Sequence, residues 1–417
     1  MGETPSVFGL TTEGSMALDK YRIRLSQDMT KPRVCLISHT YLEKGYRAKL
    51  DYLAQETDLT VISPNLFPSP YGLCRADFTG AQGYRVHTYP CWFPLGMRTS
   101  TRWILASRDM GFPVSPPDII HVENEVSSFI VLQVLLYRRL YAPHARVVVF
   151  VWANQYMQGV KGLVSGLLAR WAGPKIDFYI AGSSGGRSLL IESGISAERI
   201  IVCPQIGVDT DRFFPLTQEE RARLRREMGI GEDEFVIGFV GRFVLEKGLP
   251  DLLQAFKQMK ARANSRPMRL LCVGNGPVKP DLLTLQPDVL TFSPGGRSQV
   301  LPYYQVMDTL VLPSRTTRTW KEQFGRVLAE AMACGVLVIG SDSGAIPEVI
   351  GNAGIIFREG NVEELQSHLL NLMTMPELRR TLSQRGRQLA CNKFSERQIA
   401  EKTVQAYCQV SHRKNSD

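Results

Sequence analysis

The stretch TLVLPSRTTRTWKEQFGRVLAEAMACGVLVIGSDSG, from Thr309 to Gly344, contains a complete strand–loop–helix–strand pattern. Its two ends are short apolar runs of the kind found in the buried strands of parallel sheets. Between them, a polar loop leads into a helix predicted to begin near Phe324 and to stop at Gly335. Because ligands bind outside the carboxyl ends of the strands in such sheets, we expect the polar loop to line a ligand site.

Two glutamates in this stretch stand eight positions apart. Glu322 lies in the loop and Glu330 lies inside the predicted helix. Eight helical residues rise about 12 Å, whereas the paired carboxylates of glycoside hydrolases need about 5–9.5 Å. The spacing suits an elongated ligand such as a nucleotide sugar. Glu322 would accept hydrogen bonds from sugar hydroxyls and Glu330 from ribose hydroxyls, while the helix amides after Phe324 would face the diphosphate. The alternative for Glu330 is an ordinary exposed acid.

The same alternation of short apolar runs and helices extends through the chain in two halves. It predicts an α/β protein with two doubly wound, Rossmann-like domains that face across a cleft, and a length of 417 residues also favours two domains. The polar segment 207–234 contains one proline, three glycines and a predicted charged helix in its middle, and it separates the halves. The expected divisions are a tail at 1–30, a first domain at 31–212, a second at 213–393 and a C-terminal segment at 394–417.

Another strand end of the second half carries two cations. The apolar run 235–241 leads into Arg242 and Lys247 on a strand-to-helix turn. Unsatisfied amides at a helix N-terminus, together with a guanidinium and an ammonium, form a site for a diphosphate. The alternative is a pair of solvated surface charges. Gly274, in the glycine-rich turn after the next strand, is a weaker sign of the same site.

Composition excludes several classes of protein. The net charge of +9 suits anionic partners, but the basic residues are dispersed and form no nucleic-acid-binding arm, so we expect no nucleic acid partner. The eight cysteines form no close pair, which argues against a zinc or redox motif and for a reduced compartment. The apolar run 129–137 is too short to span a membrane. The first 30 residues have no signal-peptide core, so we expect a cytoplasmic location or the inner face of a membrane.

Four motifs of the second half now identify a family. VGRFVLEKG, VGNGP, EQFGRVLAEAMACG and GSDSGAIPEVIG occur in this order. Across roughly 235–360 the chain resembles family 4 of the retaining glycosyltransferases, which have the two-domain GT-B fold. Residues 181–213 resemble the passage between the two domains of that family. The first 180 residues are similar only in general layout.

The resemblance implies an enzyme that transfers a sugar with retention from a nucleotide sugar, with a UDP-sugar favoured over a GDP-sugar. The acceptor would be a glycan or a lipid-linked molecule in polysaccharide or glycolipid biosynthesis. The first domain would bind this acceptor, and the segment from 394 would cross back to it. No cofactor and no metal are expected, because Arg242 and Lys247 would hold the diphosphate and neutralise the leaving nucleotide. Glu322 would contact the reacting sugar. The remaining donor-binding positions would be Gly274, Phe324, Gly325, Arg326, Val327 and Glu330.

The first half departs from the family pattern. Many relatives have a histidine after the strand that here ends VVVFVW, where this chain has Asn154, which can donate a hydrogen bond but cannot act as a general acid or base. His121 is a candidate substitute, although a packed structural histidine is the favoured interpretation. Gly45 stands alone where relatives often have two glycines. These three residues are the candidate acceptor-side positions. Asp209 and Asp211 resemble a metal-binding acid pair, but we expect them to serve a turn.

Two further segments suggest a peripheral membrane contact. Residues 159–173 are apolar with basic residues towards the ends, and residues 91–98 add aromatic and basic character. The favoured alternative for 159–173 is a helix that packs on its own sheet.

Two alternative functions also remain open. One is a nucleotide-sugar epimerase of the same fold, which the glutamate pair opposes. The other is a catalytically weak sugar-nucleotide-binding protein, which only the missing histidine supports. It is opposed by the presence of Arg242, Lys247, Glu322 and Glu330.

Overall fold

The computed structural model describes residues 31–69, 72–93, 103–262, 267–278, 287–294 and 299–412. The predicted tail 1–30 lies outside these residues. The strands within the described ranges are β1 Arg33–Ile37, β2 Asp58–Pro64, β3 Leu66–Ser69, β4 Gly72–Arg75, β5 Arg85–Tyr89, β6 Cys91–Trp92, β7 Ile104–Leu105, β8 Ile119–Glu123, β9 Arg146–Val151, β10 Phe178–Ala181, β11 Ile200–Val202, β12 Phe235–Val240, β13 Met268–Val273, β14 Val289–Phe292, β15 Thr309–Leu312, β16 Leu337–Ser341 and β17 Ile355–Phe357. The α-helices there are α1 Ala48–Glu56, α2 Phe129–Tyr141, α3 Gly159–Ala172, α4 Ser184–Glu192, α5 Gln218–Glu227, α6 Leu249–Arg262, α7 Leu301–Val306, α8 Arg326–Ala333, α9 Ile346–Ile350, α10 Val362–Thr374, α11 Pro376–Leu389 and α12 Glu396–His412.

The chain forms two compact units. Unit 1 comprises Met1–Ile206 together with Glu396–Asp417, and unit 2 comprises Gly207–Ser395. The last helix, α12, therefore belongs to unit 1, where it packs on α1 and on strands β9 and β10. Its apolar side includes Ile399, Val404 and Tyr407, which join the same buried cluster as the sheet residues Val148 and Phe178.

Unit 1 contains a seven-stranded parallel sheet in the order β11-β10-β9-β8-β1-β2-β5. Strands β8 and β9 are buried along nearly their whole length, as expected for strands covered on both faces. The strand order reverses between β1 and β8, so the switch point of this sheet lies at their carboxyl ends. Two short antiparallel pairs, β3 with β4 and β6 with β7, lie outside the sheet.

Unit 2 contains a six-stranded parallel sheet in the order β14-β13-β12-β15-β16-β17. In chain order this is 3-2-1-4-5-6, the Rossmann arrangement, and the strand order reverses between β12 and β15. The two motif segments that carry the predicted donor site follow these two strands. Both units are thus doubly wound α/β sheets, which confirms the predicted class of each.

One helix boundary differs from the sequence-based expectation. Helix α8 begins at Arg326 rather than near Phe324, because Gly325 adopts a left-handed conformation with φ of 74°. The charged helix predicted within the junction 207–234 is α5, which has a full capping box between Thr217 and Glu220. Arg225 on this helix pairs with Asp308 at 2.8 Å. Among the described residues, no helix is long and apolar enough to cross a membrane.

Candidate active site

The centre of the candidate site is the switch point of unit 2. The turn after β12 carries Arg242 and Lys247, and the loop after β15 carries Glu322. Because β12 and β15 are hydrogen-bonded neighbours, their carboxyl ends bring these two segments to the same edge of the sheet. The structure therefore brings together residues that are 75 positions apart in the chain.

Lys247 and Glu322 form an ion pair at this edge. The Lys247 ammonium donates to Glu322 Oε2 at 2.7 Å, and the hydroxyl of Ser314 donates to the same oxygen at 2.8 Å. The side chains of Lys247 and Glu322 are only 17% and 8% exposed. The ammonium also lies 4.9 Å from the centre of the Trp320 ring, a distance suited to a cation–π contact. The ion pair and the ring fix the position of both charges before any ligand is present.

The loop after β15 is anchored on both sides. The Arg315 amide donates to the Glu246 carbonyl at 2.9 Å, and its guanidinium donates to Asp251 at 2.7 and 2.5 Å. Further along the loop, the Thr316 amide donates to the Glu359 carboxylate at 2.9 Å. Since these contacts tie the loop to α6 and to the segment after β17, the loop holds Glu322 in a defined place.

Two glycines allow the backbone to pack closely around this pair. At Gly248, which follows Lys247 and has φ of 67°, an added Cβ would overlap the carbonyl of Pro313 at the end of β15. At Gly344, an added Cβ would overlap the carbonyl of Glu322, which accepts a hydrogen bond from the Ala345 amide at 3.0 Å. Any other residue at either position would displace one of the two charged groups.

Gly274 has a packing role in the structure. An added Cβ there would overlap the carbonyl of Gly241, and the Phe243 amide donates to the Asn275 carbonyl at 2.8 Å. The glycine-rich turn after β13 thus lies directly against the turn that carries Arg242. This contact supports the turn after β12, and the predicted donor-binding role of Gly274 stays a prediction.

Glu330 lies at the interior of α8 and is only 1% exposed, so it is not an ordinary exposed acid. Tyr304 donates to its Oε2 at 2.7 Å, and the guanidinium of Arg326, one helical turn earlier, lies 3.0 Å from its Oε1. These two partners orient the carboxylate. The phenol of Tyr304 was not anticipated, because its position on α7 gives no sequence signal of a contact with α8.

The other predicted donor residues lie around the start of α8. Phe324 is 4% exposed and its ring packs edge-on against Phe394, with centroids 5.5 Å apart. Only its backbone remains as a candidate ligand contact. Gly325 is buried, whereas Val327 is half-buried.

Arg242 is the most accessible charge of the site. Its side chain is 53% exposed and lies 3.7 Å from the Glu246 carboxylate. A distance of this size in an exposed pair contributes little to stability. The weak contact with Glu246 would therefore not prevent the guanidinium from turning towards an anionic ligand.

The acceptor-side candidates occupy three different environments in unit 1. His121 is fully buried in β8, where its Nδ1 lies 2.8 Å from the hydroxyl of Tyr407, and burial lowers its pKa to about 3. The position fits the structural interpretation of His121. Asn154, three residues after β9, is 7% exposed. Gly45 is exposed in a short turn, and an added Cβ there would meet no atom within 4 Å.

A buried polar cluster at the switch point of unit 1 was missed by the sequence analysis. The Glu123 carboxylate accepts hydrogen bonds from Lys49 at 3.0 Å, Tyr41 at 2.9 Å and Gln205 at 2.7 Å. Burial opposes the charge of Glu123, but Lys49 and the hydrogen bonds overcome it and hold the pKa of this carboxyl below its ordinary value. The position of Glu123 at the carboxyl end of β8 is the sequence signal that could have identified it as a candidate. The partners could not be predicted because they are distant in sequence.

Glu125, two residues beyond β8, was also missed. One carboxylate oxygen accepts hydrogen bonds from the amides of Trp152 and Ala153, both at 2.9 Å. Burial raises its pKa to about 7, although these two amides oppose the shift. Glu125 borders a cavity of about 680 Å³ beneath α3.

The acid pair Asp209 and Asp211 serves a turn, as predicted. The Asp209 carboxylate accepts the backbone amides of Asp211 and Arg212, each at 3.2 Å. Within the described ranges, no three side chains of histidine, cysteine, aspartate or glutamate are grouped so that they could hold a metal ion.

Comparison with known proteins now adds to this geometry. Residues 220–389 match the family of glycosyl transferases group 1. This segment lies within unit 2. It contains Arg242, Lys247, Glu322 and Glu330, so the predicted resemblance is confirmed for the part of the chain that carries the candidate site.

Two curated relatives of the glycosyltransferase domain are informative. The chain is 28% identical over 328 residues to the sulfoquinovosyl transferase SQD2 of Arabidopsis thaliana, covering 75% of this chain and 60% of the plant protein. It is 34% identical over 194 residues to a GDP-mannose-dependent monoacylated alpha-(1-6)-phosphatidylinositol monomannoside mannosyltransferase of Corynebacterium glutamicum, covering 43% of this chain and 49% of that protein. The chain therefore spans about half to three-fifths of the length of these relatives.

A solved structure extends the likeness to both units. The Anabaena protein Alr3699/HepE, solved in complex with UDP, matches with a TM-score of 0.65 and 17% identity over 90% of this chain and 99% of the Anabaena chain. At this identity the likeness shows the fold alone. It confirms the predicted GT-B class, in which the glycosyltransferase domain is one of two Rossmann-like units.

Proposed function

We propose that the protein is a retaining glycosyltransferase that uses a nucleotide sugar, with a UDP-sugar favoured, and transfers the sugar to a glycan or lipid-linked acceptor. The acceptor would belong to polysaccharide or glycolipid biosynthesis. The names of the relatives support this class, since one is a sulfoquinovosyl transferase and another a mannosyltransferase acting on a phosphatidylinositol monomannoside. The UDP complex of the Anabaena protein supports the choice of donor.

The observation that carries the proposal is the Lys247–Glu322 ion pair at the β12–β15 switch point. A cation at this place can contact the diphosphate of a nucleotide bound outside the strand ends. An acid 2.7 Å from it can contact the sugar joined to that diphosphate. The Lys247–Glu322 pair would therefore lie beside the bond between the sugar and the diphosphate, which breaks in the reaction.

In the proposed reaction, the charge that develops on the departing diphosphate is stabilised by Lys247 and by Arg242. Arg242, 53% exposed, would turn onto the phosphates when the donor binds. Lys247 would share its ammonium between the phosphates and Glu322 while the amides at the start of α8 donate to the same anion. No metal ion is required, because these cations supply the neutralising charge.

Glu322 would accept hydrogen bonds from hydroxyls of the transferred sugar. Its Oε2 already accepts from Lys247 and Ser314, which orients the carboxylate. Glu330 would accept from ribose hydroxyls, with Tyr304 and Arg326 orienting it. A carboxylate has about four acceptor positions, so each glutamate can keep its present partners and accept from a ligand.

Unit 1 would bind the acceptor, with Asn154 and Gly45 as candidate contacts. All eight cysteines lie among the described residues and are free thiols. This state supports the expected cytoplasmic location, where thiols stay reduced.

The proposal is tested by incubating the full chain with UDP-, GDP- and ADP-sugars and measuring nucleotide release, with and without membrane lipid extracts or glycan acceptors. We expect release from one donor class, stimulated by an acceptor, and a product whose anomeric configuration matches the donor by NMR. Inversion at the anomeric carbon would contradict retention. Failure of every donor to release nucleotide would favour a binding protein, and a change of sugar configuration without transfer would favour the epimerase.

A further inference from the structure

Helix α3 presents an apolar stripe to solvent. Val160, Leu163, Val164, Leu167 and Trp171 are 79%, 67%, 50%, 61% and 53% exposed. They recur at intervals of three and four residues, so they lie along one side of the helix. We call these five residues the α3 stripe. Among the side chains of α3 that the structure describes, only Ala172 is fully buried, so the favoured expectation that this helix buries an apolar face on its own sheet is not met.

Beneath α3 lies the cavity of about 680 Å³. Its walls include Leu168 and Ala169 of α3, Val151 of β9 and Leu190 of α4. A well-packed interior leaves few voids larger than a water molecule. The helix thus stands away from the core. The space behind it is mostly apolar, although Glu125 and Glu192 also line it, and it is large enough for a ligand of small-molecule size.

The chain segment that carries the stripe has charged residues of one sign only. From Val126 to Ile176 the sequence contains no aspartate and no glutamate, but it contains Arg138, Arg139, Arg146, Lys161, Arg170 and Lys175. Arg138 and Arg146 pair with Asp177, whereas Arg139, Arg170 and Lys175 are exposed. The acids nearest to the cavity are Glu125 at its inner wall and the exposed Glu192 of α4.

The C-terminal end of α3 resembles an interfacial anchor. Lys175 lies with its ammonium 3.7 Å from the centre of the Trp171 ring and donates to the Trp171 carbonyl at 2.6 Å. An aromatic ring beside a cation is suited to the boundary between lipid headgroups and acyl chains, where one end of the ring is apolar and the other is wet.

We propose that α3 docks on an anionic lipid bilayer. The α3 stripe enters the acyl region, Arg139, Arg170 and Lys175 contact anionic headgroups, and one acyl chain of the bilayer occupies the cavity beneath the helix. A second copy of this chain is a poorer occupant, because a symmetric contact would place the same exposed cations against each other. The inference goes beyond the proposed function and needs no nucleotide sugar, so the two can fail separately.

The test is co-sedimentation of the full chain, without donor, with vesicles of phosphatidylcholine alone or of phosphatidylcholine mixed with phosphatidylglycerol. We expect binding to the mixed vesicles that weakens with added salt. Leu163→Glu/Leu167→Glu should raise the lipid concentration needed for half-binding by about 100-fold or more. The reason is that two leucine side chains no longer bury their apolar area in the bilayer. Val114→Glu, at a 92% exposed apolar position outside α3, is the matched control and should bind as the wild type does.

Two further variants separate the parts of the proposal. Arg170→Gln/Lys175→Gln should weaken binding to anionic vesicles about 25-fold, because each lost cation leaves about one fifth of the affinity. Ala169→Phe narrows the cavity without changing the stripe and should weaken binding several-fold. Equal binding of wild type and Leu163→Glu/Leu167→Glu overturns the docking surface, and unchanged binding of Ala169→Phe overturns the acyl-chain site.

Tryptophan quenching provides a second measurement. Bromine atoms on the acyl chains should quench part of the fluorescence of the bound wild type, and Trp171→Phe should lose most of that quenching. Quenching that is the same in Trp171→Phe would contradict insertion of α3. A wild-type dimer that ignores vesicles and is broken by Leu163→Glu/Leu167→Glu would assign the stripe to self-association and overturn the proposal.

Discussion

Replacement of Lys247 by methionine should destabilise unit 2 and leave unit 1 unchanged. The substitution removes the ammonium that lies 2.7 Å from Glu322 Oε2 and keeps most of the aliphatic volume. The Glu322 carboxylate then remains largely buried with its charge, and Ser314 still donates to it at 2.8 Å. A charge left in such a place without its counter-ion is the main source of the expected loss.

The magnitude follows from the burial of the pair. Two unit charges 2.7 Å apart attract each other by about 6 kcal/mol at an effective dielectric constant of about 20. Much of this is offset by desolvation. Breaking fully buried pairs costs about 3–5 kcal/mol, and exposed pairs are worth about 0–1 kcal/mol. With side chains 17% and 8% exposed, and with Ser314 still in place, we expect a loss of about 2–3 kcal/mol.

Hydrogen exchange of the full chain, followed by mass spectrometry, measures this loss locally. Peptides covering β12 and β15 should exchange roughly 30- to 150-fold faster in Lys247→Met, which corresponds to about 2–3 kcal/mol. Adding Glu322→Gln should restore part of the protection, because the buried charge is then gone and the two effects are coupled. Lys257→Met, at an exposed lysine of α6, is the control and should leave exchange unchanged. Wild-type exchange in Lys247→Met, or strict additivity in the double variant, would show that the pair does not hold the loop.

Three further predictions concern catalysis and pH. Glu322→Ala should abolish transfer with little change in UDP affinity, since the acid contacts the sugar, and near-normal turnover would refute its assignment. Added magnesium, manganese or a chelator should change the rate of transfer little, and a strict manganese requirement would return Asp209 and Asp211 to consideration as metal ligands. Because the pKa of Glu125 rises from 4.5 to about 7 on folding, its contribution to stability is greatest below pH 4.5 and is lost as pH rises through 7. Glu125→Gln should therefore stabilise unit 1 at pH 8 by about 3 kcal/mol and have little effect at pH 4. Equal melting-temperature differences at both pH values would contradict this pH dependence.

The sequence predicted the elements that local patterns control. Short apolar runs separated by helical spacing predicted the parallel strands, and the position of Arg242 and Lys247 after one strand and of Glu322 after another predicted that they share a sheet edge. The helical glutamate Glu330 was also placed correctly within its helix.

The side-chain partners could not be predicted in the same way. The contacts of Lys247 with Glu322, of Tyr304 with Glu330 and of Lys49 with Glu123 join residues 75, 26 and 74 positions apart. Such pairs depend on how packed elements approach each other, and no spacing along one helix or strand encodes them.

The exposure of α3 was likewise hidden from the sequence. An apolar helix with basic residues near its end fits both a packed helix and an interfacial one. The two are distinguished only by what lies behind the helix, and in the structure that is a cavity lined in part by Leu168 and Ala169.

The claim that the β12–β15 switch point binds the diphosphate of a nucleotide is tested most directly by calorimetric titration of nucleoside diphosphates into the wild type and three variants. Arg242→Ala and Lys247→Ala should each weaken UDP binding by about 10- to 100-fold, as expected for the loss of one charge-assisted contact. The double variant should lose less than the product of the two factors, because both cations act on one anion. A double variant that binds UDP, GDP and ADP with wild-type affinity would contradict the site.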